Sequence, residues 1–189
     1  MSNRIELEES YILNDNYDIY KLIKKNKFEF KERIIEEDTY FTDKEEKFIK
    51  DKICLRTRKT NEELLELTYK PKTDDNTKKY GKREVNIFIN IEDYDDIKYV
   101  IKQLGYLEYV SFRKERETFT KIIDTIEYNI MIDKIEKVGS FVEFEILTDI
   151  NKDKEKLKSK LDEFIAKFKC DKLKEKILPY RDIVKKLEK

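Results

Sequence analysis

The chain has 189 residues, which is enough for one domain with a substantial hydrophobic core. Charged residues make up 44% of it, but 42 Lys and Arg balance 42 Asp and Glu, so no net field attracts nucleic acid or an anionic membrane. Histidine is absent, which excludes imidazole as a general base or metal ligand. Any catalysis would therefore depend on carboxylates, Lys, Arg, Tyr and a bound metal.

The sequence predicts neither a membrane segment nor a disulfide framework. It contains no run of about 18 apolar residues and no apolar N-terminal segment before a cleavage site. Cys54 and Cys170 lie far apart and lack the spacing of a metal site. We expect a single cytoplasmic domain over residues 1–189.

The first predicted element is a strand with the sequence RIELEESYIL. Glu6 and Glu8 alternate with Ile5 and Leu7, so one face of this strand is acidic and the other is apolar. The following segment, DNYDIYKLIKKNKF, has apolar residues at helical spacing and predicts a helix. Strand patterns continue with FEFKERIIEEDTYF, KICLRTRKT and ELLELTYKPK.

A polar loop over residues 73–82 precedes the strand REVNIFINI, and DYDDIKYVIKQLGY then predicts an amphipathic helix that ends at Gly105. Its apolar stripe consists of Ile97, Val100, Ile101 and Leu104. Strands resume with FRKERETFTKI, IEYNIMIDKI and FVEFEIL, and helices follow in residues 151–189. About eight strands without βαβ alternation predict an α+β fold with a large antiparallel sheet that is able to close into a barrel.

Several predicted strands carry two like charges two residues apart, and therefore on one face. The pairs are Glu6 and Glu8, Arg56 and Arg58, Lys70 and Lys72, Lys114 and Arg116, and Glu143 and Glu145. Like charges side by side repel, and an ordinary solvated face is expected to mix signs. Carboxylates bind Mg²⁺ or Mn²⁺, whereas Arg and Lys neutralise phosphate oxygens, so such an interior suits a metal-bound polyanion. A sheet with one solvated charged face is the alternative interpretation.

The order of these motifs resembles the CYTH family, also called triphosphate tunnel metalloenzymes, over about residues 5–147. Glu6 and Glu8 match the first two positions of its opening ExExK motif. The further matches are Tyr40-Phe41-Thr42-Asp43, Leu55-Arg56-Thr57-Arg58, Leu67-Thr68-Tyr69-Lys70, Arg83-Glu84, Lys114-Glu115-Arg116, Asp133, and Gly139-Ser140-Phe141-Val142-Glu143-Phe144-Glu145. A weaker match lies at Pro179-Tyr180-Arg181-Asp182.

The resemblance implies an eight-stranded antiparallel β-barrel, a triphosphate tunnel with helices packed outside. It implies Mg²⁺ or Mn²⁺ as cofactor, held by Glu6, Glu8, Asp133, Glu143 and Glu145. The implied phosphate-binding residues are Arg56, Arg58, Lys70, Lys72, Arg83, Lys114 and Arg116. Among all of these, the residues predicted to be catalytic are Glu8, Glu145, Arg58 and Lys70.

Two departures from the family pattern bear on activity. Ser10 stands where the opening motif has a lysine, so the ammonium that contacts phosphate or assists water attack is missing. The family's cyclases often carry a His-Phe pair, and this chain has no histidine. Three functions remain open: a metal-dependent triphosphatase acting on tripolyphosphate, a nucleoside triphosphate or thiamine triphosphate; a class IV adenylate cyclase; and a non-catalytic triphosphate- or polyphosphate-binding protein.

Three further segments have structural interpretations. The C-terminal helix places Leu157, Leu161, Phe164 and Phe168 at helical spacing, which predicts packing on the barrel wall rather than binding to nucleic acid or membrane. Cys54 is predicted to be a small buried hydrophobic residue. Asp38 and Tyr40 are equally consistent with the tunnel mouth and with a structural role. The sequence does not determine the oligomeric state.

Overall fold

The computed structural model describes residues 4–14, 16–72, 85–149 and 154–188. Its strands are β1 (Arg4–Leu13), β2 (Glu29–Thr42), β3 (Cys54–Thr60), β4 (Leu64–Lys70), β5 (Val85–Ile89), β6 (Leu107–Ile123), β7 (Ile126–Ile135), β8 (Gly139–Asp149) and β9 (Lys174–Glu175). Its α-helices are α1 (Ile19–Lys25), α2 (Lys47–Lys50), α3 (Tyr94–Gln103), α4 (Lys154–Ala166) and α5 (Tyr180–Leu187). The predicted loop 73–82 and Arg83 lie outside the described residues.

The strands form one sheet in the order β5-β4-β3-β2-β6-β7-β8-β1-β9. The registers of β1 with β8, β7 with β8 and β2 through β5 are antiparallel, which confirms the predicted α+β fold dominated by an antiparallel sheet. The described residues form nine strands rather than the expected eight, because the two-residue β9 pairs with β1. Over the described ranges, backbone pairing ends at β5 and β9 and does not close the sheet into a barrel.

The chain divides into two compact units, Met1–Arg33 with Glu115–Pro179 and Ile34–Lys114 with Tyr180–Lys189. We call them the first and second units. Strands β2 and β6 each contribute residues to both. None of the helices in the described ranges is long and apolar enough to cross a membrane.

The first unit has its hydrophobic core on one face of β1, β7 and β8. Val142, Phe144 and Ile146 point to this face and are fully or almost fully buried. Helix α4 covers them, and the rings of Phe164 and Phe144 meet edge to face at a centroid distance of 5.3 Å. The remaining apolar positions of the C-terminal segment, Leu157, Leu161 and Phe168, are also buried in this core, which confirms the predicted packing of the helix on the sheet.

The second unit contains the antiparallel ladder from β2 to β5 and helix α3. The hydroxyl groups of Tyr94, at the start of α3, and Thr39, on β2, lie 3.1 Å apart within hydrogen-bond distance. The helix ends before Gly105, whose φ of 92° is the left-handed conformation expected of a terminating glycine. Ile101 is buried as predicted, but Val100 and Leu104 of the same apolar stripe are exposed.

Candidate functional site

The polar face of the first unit carries four glutamates that we call the acidic cluster: Glu6, Glu8, Glu143 and Glu145. In the β1–β8 ladder Glu8 lies opposite Glu145, and Ser10 lies opposite Glu143. The alternation that buries Phe144 on the other face therefore turns these carboxylates to one side of the sheet. Glu143 and Glu145 are only 8% and 9% exposed, whereas Glu6 and Glu8 are exposed, so the face is buried along β8 and open to solvent along β1.

The environment of Glu145 disfavours its ionised form. Burial raises the pKa of Glu145 above its ordinary value, and the neighbouring charge of Glu8 adds to this, while hydrogen bonds with Asn129 and Glu6 offset part of it. Asn129 Nδ2 donates to Glu145 Oε1 at 2.8 Å. Thr120 Oγ1 in turn donates to Asn129 Oδ1 at 2.6 Å, which fixes the orientation of the amide.

Arg116 joins two residues that were predicted as metal ligands. Its Nε and Nη2 atoms donate to the two carboxylate oxygens of Asp133, each at 2.6 Å. Its Nη2 atom also donates to Glu143 Oε2 at 2.5 Å. Asp133 is wholly buried. This predicted phosphate-binding arginine is therefore tied to the acidic side of the sheet.

The residue types of the acidic cluster fit a hard divalent cation, because such cations take carboxylate oxygens as ligands. Glu6, Glu8 and Glu145 are neighbours, and like-charged carboxylates at close range repel unless a cation lies between them. As the side chains stand, no three Asp, Glu or Cys of the described residues are arranged to hold a metal ion. The donor chemistry thus fits Mg²⁺ or Mn²⁺. One oxygen of Glu143, however, already pairs with Arg116.

The second unit carries the predicted cations Arg56, Arg58 and Lys114, which we call the basic cluster. Arg58 donates from Nε and Nη2 to the two oxygens of Asp38 at 2.6 and 2.8 Å, and from Nη1 to Glu36 Oε1 at 2.5 Å. Lys114 Nζ lies 2.8 Å from Glu36 Oε2. Asp38 and Lys114 are each only 2% exposed. These contacts make a buried ion-pair network.

Arg56 extends the network towards β4 and the C-terminal helix. Its Nη2 donates to Thr68 Oγ1 at 3.1 Å and to Glu66 Oε1 at 3.4 Å. Its guanidinium carbon lies 6.0 Å from the centre of the Tyr40 ring, and that of Arg181, on α5, lies 5.9 Å from the same ring. The weak motif match near the C-terminus therefore coincides with a residue close to the basic cluster.

The other predicted phosphate-binding residues differ in their surroundings. Lys70 lies at the end of β4, partly buried and opposite Cys54. Cys54 is also partly buried, and burial raises the pKa of its thiol. Lys72 lies beyond the strand with a side chain that is 57% exposed, and its Nζ is 2.7 Å from Asp51 Oδ1. The structure thus joins Lys72 to a surface carboxylate.

Sequence reasoning missed Glu36, and it singled out Asp38 without recognising it as a counter-charge of the basic cluster. Glu36 and Asp38 are themselves like charges two residues apart on one strand, so the pattern used for the other pairs would have identified them. Burial acts to raise the pKa of Asp38, but the charges of Arg58, Arg56 and Lys114 and the Arg58 hydrogen bonds hold it below its ordinary value. Asn129 was missed too, although alternation along β7 puts it on the same face as Asp133.

Comparison with known proteins identifies relatives over most of the chain. The family model of the CYTH domain matches residues 5–175. A Methanocaldococcus jannaschii protein named "Putative adenylate cyclase MJ0240" is 34% identical over 153 residues, covering 79% of this chain and 82% of the relative.

Solved structures with the same fold include PH1819 protein from Pyrococcus horikoshii OT3, which is 26% identical with a TM-score of 0.73 over 97% of this chain and 99% of that one. Another is a Hippeastrum protein described as "Putative adenylyl cyclase HpAC1" with a dominant triphosphatase activity. It is 12% identical with a TM-score of 0.66, over 96% of each chain, a likeness of fold alone.

Proposed function

Because the chain belongs to the CYTH domain family, we propose that it is a metal-dependent triphosphatase working in a charged, barrel-like tunnel. Its substrate would be a small molecule that contains a triphosphate: inorganic tripolyphosphate, a nucleoside triphosphate or thiamine triphosphate. The observation that carries this proposal is the register that sets Glu8, which is exposed, directly opposite the buried Glu145.

This register is unfavourable without a cation. Like charges directly opposite each other in a ladder destabilise a sheet, and the burial of Glu145 adds a cost for its ionised form. Burial and the charge of Glu8 also raise the pKa of Glu145, which reflects the same unfavourable interaction. We propose that Glu6, Glu8, Glu143 and Glu145 hold Mg²⁺ or Mn²⁺, which relieves it. When bound, such an ion neutralises phosphate oxygens and supplies an activated water.

The proposed phosphate-binding residues are Arg56, Arg58, Lys70, Lys114 and Arg116, with Lys72 and Arg83 as further members. Arg58 and Lys114 already face Glu36 and Asp38, so their charges are largely matched within the protein. A metal-bound triphosphate, which carries less negative charge than the free anion, would therefore suit them better. Arg58 and Lys70 would stabilise the charge that develops on the leaving phosphate.

Ser10 supports a contrasting proposal, a non-catalytic triphosphate-binding protein. Its hydroxyl donates to Glu143 Oε1 at 3.3 Å, so it contacts a proposed metal ligand but brings no positive charge. If the missing lysine limits turnover, Ser10→Lys should raise the rate without much tighter binding. An unchanged rate would show that another residue fills this role or that none is needed.

Adenylate cyclase activity is the second candidate function, and the observation that favours it is the name of the 34% identical Methanocaldococcus jannaschii relative. In that reaction the ribose 3′-oxygen attacks the α-phosphate and pyrophosphate leaves. The same acidic and basic side chains would serve both reactions, so the products distinguish them.

The test is an incubation of the purified chain with tripolyphosphate, ATP or thiamine triphosphate and Mg²⁺ or Mn²⁺. Orthophosphate, or pyrophosphate without cyclic AMP, is the expected product. If cyclic AMP and pyrophosphate form from ATP, the proposed triphosphatase activity would be wrong and the chain would be an adenylate cyclase. If the triphosphate binds in a metal-dependent way without turnover, the non-catalytic binding protein would be the remaining function. Glu8→Ala and Glu145→Ala should abolish turnover while circular dichroism stays unchanged, and undiminished activity in both variants would overturn the assignment of the acidic cluster.

A further inference from the structure

Asp133 differs from the glutamates with which the family resemblance groups it. Both of its carboxylate oxygens accept hydrogen bonds from one guanidinium, that of Arg116, at 2.6 Å. The pair makes two parallel hydrogen bonds, the arrangement in which arginine holds a carboxylate most firmly. Asp133 is wholly buried, whereas the guanidinium that covers it also reaches Glu143.

We propose that Asp133 is a positioning residue for Arg116 and not a metal ligand. Its carboxylate fixes the plane of the guanidinium, and Arg116 in turn presents its charge beside Glu143, where triphosphate would meet the metal. This inference rests on the proposed function, since it assigns separate tasks to two acidic residues of the same site. Arg116 thereby couples the acidic cluster to phosphate binding.

The surroundings of Glu145 show what a ligand position looks like in the same sheet. Glu145 accepts from the neutral amide of Asn129 at 2.8 Å and lies against other carboxylates. Arg116 also acts on it electrostatically, but the guanidinium donates its hydrogen bonds to Asp133 and Glu143. Asp133 has its counter-charge in direct contact. A divalent cation would gain more from Glu145 than from Asp133, because taking Asp133 as a ligand requires breaking two short charge-assisted hydrogen bonds.

A second aspartate in the chain supports this assignment. Asp38, 2% exposed, holds Arg58 through the same two-bond geometry at 2.6 and 2.8 Å. The sequence motifs give Asp38 no metal-binding role. A buried aspartate that holds an arginine by two hydrogen bonds thus occurs twice in the part of the chain that the structure describes.

The decisive experiment compares two isosteric variants, Asp133→Asn and Glu145→Gln, by calorimetric titration with Mn²⁺ alone and then with tripolyphosphate in the presence of Mn²⁺. We expect Asp133→Asn to keep its Mn²⁺ affinity within about threefold but to bind tripolyphosphate about 10- to 100-fold more weakly, the usual loss when an orienting partner is removed. Glu145→Gln should lose Mn²⁺ affinity itself. Equal loss of Mn²⁺ affinity in both variants would overturn the proposal.

A double-mutant cycle separates positioning from a general structural role. On an Arg116→Met background, Asp133→Asn should weaken tripolyphosphate binding by no more than about twofold, because the residue it positions is already gone. Equal losses on both backgrounds would contradict the proposal.

A further variant, Arg116→Met with Asp133→Leu, keeps the proposal testable if Asp133→Asn does not fold. Replacing both partners of a buried ion pair by apolar residues is often tolerated. The paired variant should bind Mn²⁺ as Arg116→Met alone does, and a tenfold weaker affinity would overturn the proposal. If the wild-type chain itself binds no Mn²⁺, the proposed function fails, and that result is distinct from any pattern among the variants.

Discussion

The two units of this chain contain the same ion-pair motif, but the charged residues that surround it differ. In the first, Arg116 binds both oxygens of Asp133 and reaches Glu143 at 2.5 Å. In the second, Arg58 binds both oxygens of Asp38 and reaches Glu36 at 2.5 Å. Each arginine thus has one wholly or almost wholly buried aspartate and one glutamate.

The neighbours of each motif decide what the group can bind. Arg116 also acts electrostatically on Glu145, and Glu145 lies beside Glu6 and Glu8, so further carboxylates adjoin this motif. Around Arg58 the additional groups are Arg56 and Lys114, matched by Glu66 and by the second oxygen of Glu36. The same arginine–carboxylate unit therefore adjoins the proposed cation-binding glutamates in one unit and belongs to a group of matched charges in the other.

The largest effect, a loss of stability, should follow from breaking the Arg58–Asp38 ion pair in the basic cluster. Asp38→Asn leaves Arg58 buried with Glu36 as its main counter-charge, and losing one partner of a buried ion pair lowers the free energy of unfolding by about 3 kcal/mol. Urea denaturation monitored by circular dichroism measures this. Glu37→Gln, in a partly exposed pair with Lys59, is the matched control and should change stability by less than about 1 kcal/mol. Equal effects would show that the buried network adds no stability.

The same variant should alter the pH dependence of stability. Burial acts to raise the pKa of Asp38 in the folded chain, but Arg58, Arg56 and Lys114 lower it below its ordinary value. Its contribution is therefore present above the unfolded-state pKa of about 3.9 and is lost as pH falls from there towards the folded-state value. Asp38→Asn should flatten that part of the stability curve. An unchanged acid limb would contradict the ion pairing.

Replacing the arginine of the basic cluster tests its role in phosphate binding. Arg58→Lys keeps the charge but loses the two-bond geometry with Asp38, and we expect tripolyphosphate turnover to fall about 100-fold. Mn²⁺ affinity should not change. The steady-state rate with saturating Mn²⁺ and a Mn²⁺ titration measure the two quantities. If Arg58→Lys instead lowered Mn²⁺ affinity, the proposed division between a metal-binding and a phosphate-binding cluster would be wrong.

A smaller effect is expected from Asn129, which supports the acidic cluster without a charge. Asn129→Ala removes the hydrogen bond to Glu145 and should weaken Mn²⁺ binding about tenfold, as loss of an outer partner of a metal ligand usually does. Electron paramagnetic resonance of free Mn²⁺ measures this. Thr120→Val, one step further out, is the graded control and should have the smaller effect. The reverse order would contradict the chain of contacts from Thr120 to Glu145.

Sequence patterns located much of this arrangement because alternation along a strand fixes which face a side chain takes. They placed Glu6, Glu8, Glu143 and Glu145 on one face, and the β1–β8 register agrees. They did not reveal that Asp38 and Glu36 neutralise Arg58, since counter-charges come from a neighbouring strand whose register a sequence does not give. Lys72 shares the period of Lys70, but its strand has ended by then and its side chain reaches the surface.

Strand β8 joins the glutamates to the most deeply buried part of the first unit. Val142, Phe144 and Ile146 alternate with Glu143 and Glu145, and these apolar residues are 0 to 1% exposed beneath α4. A slip of one residue would carry a phenyl ring to the polar face and a carboxylate into the core. Amide protons at Glu143 and Glu145 should consequently exchange with solvent only when the whole core opens. Hydrogen exchange at these two residues should therefore be as slow as it is in the hydrophobic core.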